Sequence, residues 1–508
     1  MNASCWRIKS SHTLTLLSFS SKASSFQMAT SLTTKMLTAT AGMAAAAASL
    51  SGHRTITCSA ARIAPQPPDL IRWVRREGGF VNPKLKITDT GAHGLCVVAS
   101  EDIPEGSDLI ALPSHLPLRF KKSPESNGDS ALFELALGIP EELWAMKLGL
   151  RLLQERAAVG SFWWPYIGNL PETFSLPIFF SGEDIKNIQY APLIHQVNKR
   201  CRFLLEFEQA AKLILESLAL KDHPFGGQDV SSSSLGWAMA SVSSRAFRLH
   251  GEILPDGKHS DTPMLLPLID MCNHSFHPNA RIVQEQDASN PNMLVKVVAE
   301  KGIEQNAPVM LNYGFLSNDL FLLDYGFVIP SNPYDLLELK YDGALLDAVS
   351  MAAGVSSPSF SSPAQWQQEI LCQLNLFGNG ADLKVTLGGT GLVDGRLIAA
   401  LRVLLTSSET AVRKYDLKTL MSLSDEAPLG VSVETTALRT VVALCVVALE
   451  HFPTKIMQDE SILKGTVPSS MELAIQFRMQ KKLLIIDVMR KLTQRIKRMT
   501  EEKSVTQV

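Results

Sequence analysis

Acidic residues are missing from the start of this chain. Between Met1 and Arg62 there is no Asp or Glu, and the first carboxylate is Asp69. Ser, Thr and Ala dominate that stretch, with a few Lys and Arg scattered through it. This is the composition of an organelle transit peptide, not of a secretory signal. A mitochondrial presequence should be richer in Arg and more clearly amphipathic, so residues 1–60 read as a plastid leader, with processing expected near Ile56-Thr57-Cys58-Ser59-Ala60. The expected location of the mature protein is the chloroplast stroma.

Cysteine is also scarce. The 7 cysteines include no C-x-x-C pair and no Cys/His cluster at zinc spacing, which removes a disulfide framework and a structural zinc site from consideration. No metal is expected. Charge of one sign is lacking as well: 48 basic against 50 acidic side chains give a formal net charge of −2. That balance offers no electrostatic reason to expect nucleic acid as a partner. No uncharged apolar run reaches the roughly 18 residues of a membrane helix. The nearest, 441–449, is flanked by Arg439 and Glu450 and reads as a buried helix.

Apolar residues make up 45% of the chain, enough for a sizeable core. A short helix is expected over 69–77, closed by Gly78-Gly79, then strands over 94–99 and 109–112 joined at Pro104-Glu105-Gly106 as a hairpin. From 133 to 249 the period becomes helical, with 194–218 and 236–249 as helices. Strand-like segments return at 265–269, 280–284, 293–298 and 309–313. After Pro333 helices run to the end, most clearly over 396–406, 435–451 and 471–499. The last helix carries Lys481, Lys482, Arg490, Lys491, Arg495, Lys497 and Arg498. Such a run suits a solvated face near a helix C-terminus; docking of an acidic partner is the alternative.

Three segments carry possible chemistry: Asp270-Met271-Cys272-Asn273-His274-Ser275, Leu311-Asn312-Tyr313-Gly314 and Asp324-Tyr325-Gly326-Phe327. Taken singly each has a plain reading, as a polar turn around a satisfied His or as half-buried strand aromatics. Together with His93-Gly94-Leu95 and Ser244-Arg245-Ala246-Phe247, in this order, they resemble the SET domain, and most closely the branch typified by the plant Rubisco large-subunit lysine methyltransferase. The resemblance covers residues 69–333 and, more weakly, the helical tail.

The resemblance implies an α+β fold: a β-rich SET core of short sheets with a helical insertion, followed by an all-helical C-terminal domain. The corresponding segments are 61–132 and 250–333 for the core, 133–249 for the insertion and 334–508 for a substrate-binding domain. It implies S-adenosyl-L-methionine as cofactor and a protein substrate docked on the tail. By the same resemblance Tyr313 is the catalytic hydroxyl. The cofactor would meet His93, Gly94, Leu95, Arg245, Asn273, His274 and Phe327. Ser244, Arg245, Phe247, Asp270 and Tyr325 would line the acceptor channel. The sequence departs from the branch on the acceptor side, with Leu249 where an Arg is expected and Ala280-Arg281 where a Tyr is expected. Three readings stay open: a lysine methyltransferase acting on a plastid protein, a histidine methyltransferase, and a non-catalytic scaffold of the same fold.

Overall fold

The computed structural model describes residues 62–89, 94–120, 127–253, 259–287, 290–355, 357–424 and 427–505. The expected leader and His93 lie outside them. The first described helix, α1 (Leu70–Arg76), starts where the Asp69 carboxylate accepts from the Arg72 amide and stops before Gly78 at φ 83°. Its Leu70, Trp73 and Val74 are buried.

Among the described residues, eleven strands follow through the N-terminal two thirds: β1 (Phe80–Val81), β2 (Leu85–Asp89), β3 (Leu95–Ala99), β4 (Asp108–Leu112), β5 (Leu118–Arg119), β6 (Ala246–Ile253), β7 (His259–Leu265), β8 (Asn273–His274), β9 (Ala280–Asp287), β10 (Asn290–Ala299) and β11 (Met310–Leu311). They make small sheets in the orders β1-β4-β10-β9, β2-β3, β5-β7-β6 and β11-β8. Only the last of these pairings is parallel.

The hairpin expected between β3 and β4 is not formed. The turn is present, with Gly106 at φ 79° and the Ser107 amide donating to the Pro104 carbonyl at 3.3 Å. However, β3 pairs back onto β2, and β4 lies between β1 and β10. Val97, Ala99, Leu109, Ile110 and Leu112 are all 0% exposed, so both faces of these strands need cover that an isolated two-stranded ribbon cannot supply.

The insertion packs α2 (Asn127–Leu137), α3 (Ala145–Ala157), α4 (Trp164–Ile167), α5 (Ala191–Leu215) and α6 (Ser232–Ser243). A second correction falls at its end, where α6 stops at Ser243 and the rest of the expected helix is β6. The Ser243 and Ser244 hydroxyls both donate to the Ala240 carbonyl, at 3.4 and 2.7 Å. This local bonding competes with further helix. Arg248 then points outward over the Trp144 ring while Leu249 is buried, the period of a strand. The strand expected at 265–269 is the end of β7 followed by a 3₁₀ turn, Ile269–Met271, entered through buried Leu268 at φ 71°.

The C-terminal region is helical, with α7 (Gly395–Leu404), α8 (Val431–Glu450) and α9 (Ser469–Val505) as its main elements. It is not wholly so: β12 (Leu336–Lys340), β13 (Lys384–Gly388) and β14 (Leu392–Val393) form a three-stranded sheet at its start. Helix α8 is long and apolar enough to cross a membrane by composition, but its Ala437, Leu438, Val441, Leu444 and Cys445 are buried in the domain core. That core also takes in Leu322 and Leu323 from the segment before β12. The basic run on α9 is not one solvated face. Lys481 and Lys482 are 0% and 2% exposed and ion-paired inside, whereas Arg490 and Lys491 are exposed and pair with Asp487.

Candidate active site

The parallel pairing of β8 with β11 sets Met310 opposite Asn273 and Leu311 opposite His274. The Ser275 amide donates to the Leu311 carbonyl at 2.8 Å. This register delivers Tyr313 beside His274 and fixes it at both ends. Its amide donates to His274 Nδ1 at 3.1 Å, and its hydroxyl donates to the Cys272 carbonyl at 2.7 Å. Burial pushes the His274 pKa down to about 4, so the ring is neutral at physiological pH. Because Nδ1 accepts, the proton sits on Nε2, which is buried with no partner. Burial, with Tyr325 next in effect, pushes the Tyr313 hydroxyl well above its ordinary range.

Around this pair stands an aromatic wall. Tyr325 stacks on Tyr313 at 5.2 Å, and Phe247 meets Tyr313 edge-on at 6.2 Å. Phe321 lies 4.9 Å from His274 and stacks on Phe327 at 5.1 Å. The wall is built on a π-helical turn, Phe321–Tyr325, closed by Gly326 at φ 79°. A side chain at Gly326 would come within 3.0 Å of the Ser175 carbonyl oxygen, so the tight turn requires glycine.

A charged pair lies beside the wall. Arg245 Nη1 donates to the Asp270 carbonyl at 3.2 Å and stands 3.6 Å from its Oδ2. The Tyr166 hydroxyl donates to the same Oδ2 at 2.6 Å. Asp270 Oδ1 and Arg245 Nε are buried without partners. Burial raises the Asp270 pKa, with Arg245 and then Tyr166 pulling it back.

The structure therefore brings Tyr313, His274, Tyr325, Phe327 and Phe247 into one cluster, with Arg245 and Asp270 alongside. Ser244 is next to Arg245, but its hydroxyl is committed to closing α6. Asn273 is half-buried on β8. Leu95 opens β3, which runs beside the segment leading to Tyr313 through the Val309 amide donating to the Val97 carbonyl at 2.9 Å. Gly94 holds φ 65°, and a side chain there would meet nothing within 4 Å. Tyr166 and Phe321 were not anticipated. Nothing local in Trp163-Trp164-Pro165-Tyr166 announces a bond to a carboxylate 104 residues away. Among the described residues no group of three or more His, Cys, Asp or Glu could hold a metal ion.

The small sheets that carry this site lie in a part of the chain that is similar to the SET domain. The SET domain family model matches residues 94–314, and the Rubisco LSMT substrate-binding model matches residues 358–484. The two matches, in this order, make the chain similar to the Rubisco LSMT-like branch of SET-domain proteins. It is similar to the actin-histidine N-methyltransferases of Mus musculus and Homo sapiens, each 26% identical over 280 residues, covering 54% of this chain and 44% of the relative. The chain thus spans less than half the length of these curated relatives. Among solved structures, the SET domain of LSMT bound to lysine and AdoHcy superposes with a TM-score of 0.58 at 19% identity, covering 85% of this chain and 92% of that one. Rubisco LSMT bound to AdoMet gives 0.56 at 18% identity, with the same coverage.

Proposed function

We propose that this chain transfers a methyl group from S-adenosyl-L-methionine to a lysine side chain of a plastid protein. The observation that carries the reading is Tyr313, clamped by its amide to His274 and by its hydroxyl to the Cys272 carbonyl. With the hydroxyl proton committed to Cys272, the oxygen lone pairs are left to orient an incoming N–H and to face a polarised methyl group. Its raised pKa keeps it protonated, so it positions and polarises and does not act as a strong base.

The residues fit the cofactor. The partly exposed ring of Phe327, backed by fully buried Phe321, suits a flat heterocycle, and the unpartnered buried atoms of His274, Arg245 and Asp270 suit a ligand with both charged and hydrogen-bonding groups. Bound S-adenosylmethionine supplies a methyl carbon activated by a sulfonium. Gly94, Leu95, Asn273, His274, Arg245 and Phe327 are assigned to holding it. Asp270, Phe247, Tyr325 and Ser244 are assigned to the acceptor side.

A lysine acceptor must lose its proton, which costs about 4 kcal/mol at physiological pH, about three units below an ordinary pKa near 10.4. The apolar wall lowers that cost by disfavouring a second cation. A histidine acceptor is the second reading, favoured by similarity to actin-histidine N-methyltransferases. The C-terminal helical region is assigned to docking the protein substrate, and the acid-free N-terminus supports import into the stroma.

Incubation with methyl-labelled S-adenosylmethionine and stromal proteins, followed by mass spectrometry of the labelled product, tests the reading. Methyllysine is expected. Methylhistidine would move the assignment to the second reading, and absence of cofactor binding by folded protein would remove both.

A further inference from the structure

Helix α9 belongs to the C-terminal domain, yet its Lys481 ends on residues that build the catalytic wall. The side chain is 0% exposed. Its ammonium donates to Asp335 Oδ1 at 2.8 Å, to the Leu336 carbonyl at 2.6 Å, and to the Asp319 carboxylate. Asp319 lies in the turn Asn318–Leu320, which runs directly into the π-helical turn carrying Phe321 and Tyr325. Asp335 reaches the same turn by accepting from the Asn318 amide at 2.9 Å. Asn318 is itself fully buried and bonds the Ile329 main chain in both directions, at 3.0 Å each. The segment 318–329, which contains Tyr325 and Phe327, is therefore tied at both ends to one network centred on Lys481. Its buried Leu322 and Leu323 sit in the C-terminal core.

We propose that Lys481 is a positioning residue that sets the aromatic wall of the cofactor pocket from the C-terminal domain. The inference rests on the methyltransferase reading for its cofactor arm only. Two carboxylates converge on one ammonium here, so removing the ammonium leaves them facing each other uncompensated. The turn that carries Asp319 should then shift, and Tyr325 and Phe327 with it. An internal comparison stands one residue away. Lys482 is also buried, at 2% exposed, but pairs with Asp459 at 2.6 Å and Thr454 at 3.0 Å, away from the wall.

The test uses full-length Lys481→Met, with Lys482→Met as matched control and Asp319→Asn as a milder second variant should Lys481→Met fold poorly. Hydrogen–deuterium exchange of the ligand-free proteins should rise over residues 318–328 in Lys481→Met and Asp319→Asn, and stay at wild-type level there in Lys482→Met. Calorimetric titration with S-adenosylmethionine should show a ~3- to 30-fold loss of affinity for the first two variants only. Unchanged exchange over 318–328, or a loss of affinity shared equally by Lys482→Met, overturns the proposal. If the wild type binds no S-adenosylmethionine, the methyltransferase reading falls, while the exchange arm still decides the role of Lys481.

Discussion

Replacing Tyr166 by Phe removes one oxygen and leaves the ring that fills its place. That oxygen donates to Asp270 Oδ2 at 2.6 Å, between a residue 0% exposed and a carboxyl side chain 0% exposed. A buried hydrogen bond to a charged group contributes about 1.5–3 kcal/mol. Asp270 Oδ1 already lacks a partner, and the nearest guanidinium nitrogen is 3.6 Å from Oδ2. Little is left to compensate, so the loss should fall in the upper part of that range, about 2–3 kcal/mol by denaturant titration at neutral pH. The bond favours the ionised form of Asp270, so its pKa, already raised by burial, should rise further in the variant. The deficit should therefore be largest where Asp270 is charged in the wild type and shrink as acid protonates it in both proteins. A deficit below about 0.5 kcal/mol, or one that does not change with pH, would refute the reasoning, because the hydroxyl would not be serving a carboxylate.

Three further outcomes are expected. Arg402 and Glu434 form a bidentate pair at 2.7 Å with side chains 0% and 1% exposed. Arg402→Met should cost about 3–5 kcal/mol and Arg402→Met with Glu434→Leu much less, because only the single variant strands a buried charge; equal losses would contradict this. The folded-state pKa of His274 lies near 4, against 6.5 when unfolded, so between those values the unfolded chain binds a proton that the native site refuses. Stability should be complete above pH 6.5 and fall as pH drops toward 4, and His274→Gln should flatten that slope; an unchanged slope would place the acid sensitivity elsewhere. Gly326→Ala should destabilise the part of the fold that holds the aromatic wall, since φ 79° and the nearby Ser175 carbonyl both reject a side chain; a melting temperature equal to wild type would count against the turn geometry.

What could be read from the sequence is what depends on local order. The helix ending at Gly78 has its cap and its apolar stripe within a few residues, and the long C-terminal helices show their period directly. The aromatic motif was legible because Tyr313, Tyr325 and Phe327 are close in the chain and meet in space through one tight turn. Long-range choices were not legible. Strands β3 and β4 look like a hairpin until the partners on their other edges are known. Lys481 and Lys482 look like surface cations until Asp335 and Asp459 are brought to them over 146 and 23 residues. Tyr166 belongs to the site only through a bond that the insertion makes to the core. The helix expected to continue to 249 ended early because serine hydroxyls turned back on the helix, a competition that apolar periodicity does not register.

The most direct test of the central assignment is methyl transfer by the full chain and by Tyr313→Phe, using labelled S-adenosylmethionine and stromal protein. Deleting this hydroxyl removes one donor to the Cys272 carbonyl, about 1 kcal/mol of stability, so the variant should remain folded and still bind cofactor. Its rate should nevertheless fall by about 10²–10³, the scale set by losing one aligned polar group at a reacting centre. A discrete labelled protein that disappears with the variant is the predicted result. Equal labelling by both proteins would contradict the role given to Tyr313, and no labelling by either, with cofactor bound, would favour the scaffold reading.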